Sequence, residues 1–276
     1  MRFMNNLSLG QFIPGDSFVH KLDPRCKIIC TFMLLTGLFM ASEPLDFALW
    51  VLLLVMFSRL SSTGMRTILR SGKPVAVLVV ITVLLNLLWT PGHELARLGP
   101  LSVTQEGVKI AVSMGLRLFF LVIFAAMLMM TTSPMEFSDG LERLLSPLGR
   151  VGFPYTEMAM MMTIALRFIP TLFEETDRIL KAQISRGADF ESGGLIKRAR
   201  SFIPVLVPLF VLVFQRAENL AIAMESRCYV PGAQRTRLHP LKWTARDSAA
   251  MLSLAFFIVV VTALDRNIIR YVTFFR

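Results

Sequence analysis

Cysteine, histidine and tyrosine are scarce, three of each in 276 residues. Three thiols make no disulfide framework. Cys26 and Cys30 share a helix face at a spacing of four, and without a histidine or carboxylate companion they read as packing residues rather than metal or redox groups. No G-x-x-x-x-G-K-[ST] pattern occurs; the fragment SGKP (Ser71 to Pro74) lacks the upstream glycine and runs into a proline, which excludes a P-loop ATP site. GHELAR (Gly92 to Arg97) opens like a zinc-protease motif, but Arg97 stands where the second histidine belongs, and His20 and His239 are expected on the other side of a membrane. Neither a metal nor a cofactor is therefore expected. Acid is almost missing from the apolar runs, which disfavours a membrane-embedded enzyme. The opening MRFMNNLSLGQFIPGDS has no long apolar core and no small-residue cleavage site, so no signal peptide is expected.

What the chain has is grease. Hydrophobic residues make up 54% of it and the mean hydropathy is +0.61, with the apolar residues in long runs: about 27–41, 45–60, 75–89, 108–130 and 249–264. A span needs about 20 apolar residues, with a lower limit near 17, so the fourth run spans comfortably and the others recruit flanking residues. Five transmembrane helices are expected. The net charge of +10 is placed as a membrane protein places it, so it implies no nucleic acid. Arg2, Lys21, Arg25 and Lys27 precede the first run, and Arg59, Arg66, Arg70 and Lys73 lie between the second and third. The turn Ser42 to Asp46 has no Lys or Arg, and Thr90 to Thr104 has only Arg97. The positive-inside rule then puts the N-terminus in the cytoplasm. Arg266, Arg270 and Arg276, after the last run, violate it mildly.

Parity also puts Ser133 to Asp247 in the cytoplasm, with fifteen of the 29 basic and twelve of the 19 acidic residues. The expected fold is all-α and polytopic. Its parts are 1–132, an N-terminal tail with four transmembrane helices; 133–247, a cytoplasmic coupling domain with helices at about 137–148, 155–187 and 201–228; and 248–276, the fifth span and tail. Pro170 is expected to kink the second of these helices rather than stop it, because Leu172, Thr176, Ile179, Leu180 and Ile184 resume the periodicity. Glu174, Glu175, Asp177, Arg178 and Lys181 occupy the other side. A solvated linker is expected at Ala188 to Arg200, and Val213, Ala217, Leu220, Ala221 and Met224 form the stripe of the third helix.

One repetition is not explained by packing alone. AQISRGADF (Ala182 to Phe190) and AMESRCYVP (Ala223 to Pro231) both read alanine, two residues, Ser-Arg, then a small residue, forty-one positions apart. Arg186 continues the apolar face of its helix seven residues past Ile179, and Arg227 does so seven past Leu220. Capping of a helix C-terminus explains one such arginine. Two matched guanidinium tips suit docking into two similar acceptors, because arginine is a forked donor favoured at interface hot spots.

This pair resembles the twin Ala-Arg-Gly signatures of the T component of energy-coupling factor (ECF) transporters. HKLDPRCKI (His20 to Ile28) is similar to that family's N-terminal signature, ALRFIPTL (Ala165 to Leu172) to its mid-segment motif, and AMESRCY (Ala223 to Tyr229) to its second signature. The likeness covers nearly the whole chain in order. It implies a non-catalytic subunit of a bacterial inner-membrane importer, with two long crossed helices under the membrane. Two ABC-type ATPases would receive Arg186 and Arg227, with Ser185, Gly187, Ser226 and Cys228 shaping the tips. Motion would pass to a membrane-embedded, substrate-binding S component, and the cargo would be a vitamin or a metal ion such as cobalt or nickel. Asp23, Pro24, Arg25, Arg167 and Pro170 fall in the matching motifs as supports. Ser185 and Ser226 replace the family's alanines, and Cys228 its second glycine, which puts a left-handed backbone there in question. A self-sufficient cation permease, the remaining rival, predicts uptake without any ATPase.

Some features stay open on sequence. Arg117 and Asn86 are polar within spans, where a charge is expensive unless paired or near the interface, and Arg117 suits a structural pair, a subunit contact or a transport path. Arg167 suits a lipid phosphate or a carboxylate such as Asp23. The small residues Ala217, Ala221 and Ala223 suit a close helix crossing or plain packing. Met158, Met160, Met161 and Met162 point around a helix in different directions and read as adaptable packing.

Overall fold

A computed structural model describes residues 12–41, 44–98, 101–190, 192, 194–232 and 241–274. Arg2 and Arg276, counted in the charge distribution, and His239, weighed as a metal ligand, lie outside the described residues. Each of the five apolar runs forms a helix: α1 (Pro24–Met40), α2 (Pro44–Leu60), then, after the short α3 (Met65–Ser71), α4 (Lys73–Trp89) and α5 (Gln105–Thr131), and finally α10 (Ala245–Phe274). Between α5 and α10 come α6 (Pro134–Leu145), a 3-10 turn, α7 (Tyr155–Ser185), α8 (Leu195–Ser201) and α9 (Ile203–Glu225). The chain is an all-α polytopic membrane protein. By length and composition α5, α7, α9 and the Ala245–Leu264 part of α10 each suffice to cross a membrane, and α3 with α4, bent by 58°, makes a fifth candidate. At 17 residues, α1 and α2 sit at the lower limit for a span.

Two details differ from expectation. The loop Thr90 to Thr104 folds into an antiparallel hairpin, β1 (Glu94–Leu98) on β2 (Leu101–Thr104), with Leu98 opposite Leu101. Its signal in the sequence is a Gly-Pro pair between two short runs. The linker Ala188 to Arg200 is not all solvated coil, because LIKRAR at its end is rich in helix formers and, with Ser201, forms α8.

Contacts divide the chain into two units, Met1–Leu141 with Pro240–Arg276, and Glu142–His239. In the first, α1, α2, α5 and α10 close around Trp50, which is fully buried. Its ring lies 5.7 Å from Phe124 and 5.6 Å from Phe257, and Phe120 stacks on Phe124. Edge and offset contacts of this kind add to burial, by about 0.5–1.5 kcal/mol per pair. α4 runs along α5 at close range, where glycine is needed: a Cβ on Gly115 would stand 2.8 Å from Val83 Cγ2. Asn86 and Arg117 both serve backbone. The Asn86 amide donates to Thr82 O of its own helix at 2.8 Å. Arg117 Nη2 donates to Ala41 O at 2.7 Å, just past the end of α1, and its guanidinium lies over the Phe39 ring. Of its readings the structural pair fits, since a helix-end carbonyl gains a charged donor.

The second unit is built on a hairpin of α7 and α9. Both continue through an internal proline, Pro170 in α7 and Pro208 in α9. Gln183 donates to Pro204 O at 3.4 Å, and Arg216 Nη2 meets Glu175 Oε1 at 3.0 Å, so later residues of α7 meet earlier ones of α9 and the two run antiparallel. On α9, Val205 is buried and Leu209, Leu212, Val213, Arg216, Leu220 and Met224 are half-buried, one stripe at helical spacing. Ala217, Ala221 and Ala223 are exposed. The crossing is thus not made by the small-residue run; the buried stripe is rotated away from it.

Candidate functional site

α7 and α9 end in the same way. At the first tip Gly187 N donates to Ile184 O at 2.9 Å and Ala188 N to Gln183 O at 3.0 Å, with Gly187 at a φ of 86°. At the second, Cys228 N donates to Glu225 O at 2.9 Å and Tyr229 N to Met224 O at 3.0 Å, with Cys228 at a φ of 55°. This pair of bonds around a left-handed residue is the Schellman stop, which satisfies carbonyls that the end of a helix leaves open. Cys228 therefore adopts the backbone that glycine adopts easily, and the question its side chain raised is answered. A non-glycine residue there costs about 1–2 kcal/mol, so surrounding structure holds it.

The flanking residues match as well. Arg186 N donates to Gln183 O and Arg227 N to Met224 O, each at 3.1 Å. Ser185 Oγ returns to Lys181 O at 3.1 Å and Ser226 Oγ to Ala223 O at 3.0 Å, so both hydroxyls are turned back on their own helix. Ser185, Arg186, Gly187, Ser226, Arg227 and Cys228 are all exposed. Each tip therefore presents one forked cation on a small, backbone-satisfied end. A carboxylate is the acceptor that such a fork fits best.

Sequence reasoning placed Glu175 on the solvent side of α7. It is instead in the helix interface, paired with Arg216, while its Oε2 meets Arg178 at 3.4 Å. Lys181 pairs with Asp177 on the same helix. The signal for Glu175 was the repeat itself, since Arg216 stands forty-one positions later, the spacing that also separates the two tips.

The N-terminal signature forms a clasp in the first unit. Asp23 caps α1 by accepting from Arg25 N at 2.9 Å, and Pro24 fills the first turn, where its missing N–H costs nothing. Asp23 N donates to Asp247 Oδ1 at 2.8 Å, and Asp247 Oδ2 accepts from Thr244 N and Oγ1 at 2.7 and 2.6 Å. Arg25 Nη2 donates to Leu241 O at 3.1 Å, and the buried Cys26 thiol to Asp247 O at 3.4 Å. Lys27 Nζ donates to His20 O and to Thr131 O, each at 2.9 Å. Asp23, Arg25, Cys26 and Lys27 thus tie the start of α1 to the start of α10 and the end of α5, all within the first unit. Lys27, Thr131 and Asp247 were not legible as a set, being 104 and 116 positions apart in sequence. Arg167 and Pro170 lie on α7, both exposed. Among the described residues no group of three or more His, Cys, Asp or Glu is placed to hold a metal ion.

Fold and site define a class, that of polytopic α-helical membrane proteins with a clasped membrane unit and two like arginine tips on a helical hairpin. The family described as CbiQ, cobalt transport protein, matches residues 15–240, and the chain belongs to it. Its relatives include the energy-coupling factor transporter transmembrane protein EcfT of Thermanaerovibrio acidaminovorans, 55% identical over 97% of this chain and 100% of that one. EcfT of Clostridium kluyveri is 46% identical over 95% of this chain and 98% of its own, and EcfT of Bacillus subtilis 40% over 91% and 95%.

Proposed function

We propose that this chain is the energy-coupling subunit of a bacterial importer of the ECF type, catalysing no reaction itself. Arg186 and Arg227 dock into one groove on each of two ABC-type ATPases, against an acidic residue in each. ATP-driven closure of the ATPase pair moves α7 and α9, and the clasp passes that motion to the membrane helices and so to an S component that carries a vitamin or a transition-metal ion. In this reading residues 133–247 lie in the cytoplasm with the N-terminus, although α7 and α9 are apolar enough to span. Five charged residues within α7's second half and an arginine tip on each helix favour the aqueous side, because ionised groups in a bilayer are costly.

The carrying observation is the pair of tips, which share sequence, backbone bonds and a left-handed residue. One capping arginine needs no twin; two identical presentations suit two identical acceptors. The test is co-purification and uptake with Arg186→Ala, Arg227→Ala and both together. Each single change should weaken ATPase retention and the double change should abolish retention and uptake. A double variant that keeps both functions overturns the proposal.

A further inference from the structure

A cavity of about 610 Å³ lies between α1, α2, α5 and α10, wholly within the first unit. That is the size of a small-molecule site, about 300–1,000 Å³. Its polar wall residues gather at one end, with Lys27 and Thr31 on α1 and Thr131 at the close of α5; Ser253 stands a turn further along α10. From there inward the walls are apolar, with Leu34, Phe124 and Phe257 among them. Leu52 and Met56 on α2 and Phe256 on α10 line the cavity and are exposed. The slot therefore opens sideways, to whatever surrounds the helices of a membrane protein.

Lys27 makes the polar end specific. It is 5% exposed, and an ammonium has three N–H donors, of which its bonds to His20 O and Thr131 O use two. No Asp or Glu lines the cavity; the acids that act on Lys27, which are Glu136, Asp23 and Asp247, stand outside its wall. Exposed basic residues neighbour the lining in sequence. Lys21 adjoins the lining residue Leu22, Arg59 adjoins the lining Leu60, and Arg246 precedes the lining Ala249 by less than a turn; all three are exposed. An apolar slot with lateral access and a buried cation at one end is complementary to an amphiphile with one long chain and an anionic head.

We propose that this cavity holds one acyl chain of an anionic phospholipid, with the phosphate head at the Lys27 end and the chain running between α2 and α10. The site rests on the first unit alone and is independent of what the arginine tips bind.

The test is native mass spectrometry of the full chain released from bilayers of phosphatidylcholine with or without phosphatidylglycerol. The wild type should retain one phosphatidylglycerol in preference to phosphatidylcholine by about fivefold or more, the worth of a single basic residue at an anionic surface. Ser253→Phe fills the slot from α10 without touching the clasp and should lose the retained lipid. Lys27→Gln should erase the preference between the two heads. Equal retention of both lipids by the wild type, or undiminished retention by Ser253→Phe, overturns the proposal. A protein occupant would show itself in a complex purified from the membrane. If no lipid is retained there while Cys30, in a Cys26→Ser, Cys228→Ser background, is shielded from maleimide, the slot belongs to that protein and the proposal fails.

Discussion

Glu175 and Arg216 meet at 3.0 Å, eleven residues before Arg186 and eleven before Arg227 respectively. Equivalent positions of the two repeats therefore touch each other. When two antiparallel helices are related by a two-fold axis perpendicular to both, a residue meets its own counterpart only where that axis passes. The ion pair marks that point, and the tips stand on opposite sides of it, each about 16 Å along its helix at 1.5 Å per residue. The repeat is thus not two tips side by side but two tips facing outward from a shared centre. That arrangement suits a pair of like acceptors which are themselves related by a two-fold.

The first prediction concerns this centre. The side chains of Glu175 and Arg216 are 20% and 28% exposed, so the pair is screened but not buried. Glu175→Gln or Arg216→Gln should each lower the stability of the detergent-solubilised chain by about 0.5–1 kcal/mol, the range for partly exposed pairs. Glu175→Arg combined with Arg216→Glu should recover most of the loss of either reversal alone. Thermal unfolding of the four chains as a double-mutant cycle checks it, and strict additivity would dissociate the pair from the crossing.

At the tips the two left-handed residues predict opposite outcomes. Gly187→Val places a β-branched side chain at a φ of 86° and should cost about 1–2 kcal/mol, with a frayed α7 end. Cys228→Gly removes a Cβ from the same kind of position and should be neutral or stabilising by up to about 1 kcal/mol, although Gly also frees the unfolded chain. In ATPase co-purification Cys228→Gly should match or exceed the wild type and Gly187→Val fall below it.

Much of this was legible in the sequence. Long apolar runs announce the membrane helices because burial in lipid demands continuous apolar length, and the tips are visible because their motif recurs. Periodicity placed the hydrophobic face of α9 only to within one column, since Ala217 and Ala221 are as apolar as Val213 by pattern and yet exposed. Glu175 was misplaced for a related reason: a charged residue on a helix reads as solvent-facing, and only the partner on another helix reverses that. The clasp was half legible. Asp23 and Pro24 announce a helix start, but which carboxylate would bond Asp23 N depends on chain closure over 224 positions, and local pattern has no information on that.

The clasp gives a third prediction. Asp247 is buried and accepts three hydrogen bonds, from Asp23 N, Thr244 N and Thr244 Oγ1. Asp247→Ala strands the buried Asp23 N–H and the part-buried Thr244 N–H and should destabilise the chain by about 1–3 kcal/mol. Asp247→Asn retains an acceptor oxygen and should lose less. Limited proteolysis should locate the first opening near residues 241–247 in the Ala variant; cleavage first elsewhere, at unchanged stability, would show the clasp to be dispensable.

The closest approach of α4 and α5 supplies the last. A Cβ on Gly115 would lie 2.8 Å from Val83 Cγ2 and 3.8 Å from Val79 Cγ1. In an isolated helix Gly→Ala is favourable by about 1 kcal/mol, so propensity alone predicts that Gly115→Ala stabilises. Packing predicts the reverse: no real Cβ sits at 2.8 Å, Val83 is β-branched with little rotamer freedom in a helix, and displacing it costs about 1–3 kcal/mol. The steric term is the larger, and Gly115→Ala should lower stability. Val83→Ala removes the obstructing methyl and by itself loses packing. Combined with Gly115→Ala, however, the new methyl fills the space that Val83 vacates, so the double variant should be more stable than Gly115→Ala alone. Stabilisation by Gly115→Ala alone would mean that α4 can shift freely along α5, and the contact would then be loose rather than fixed.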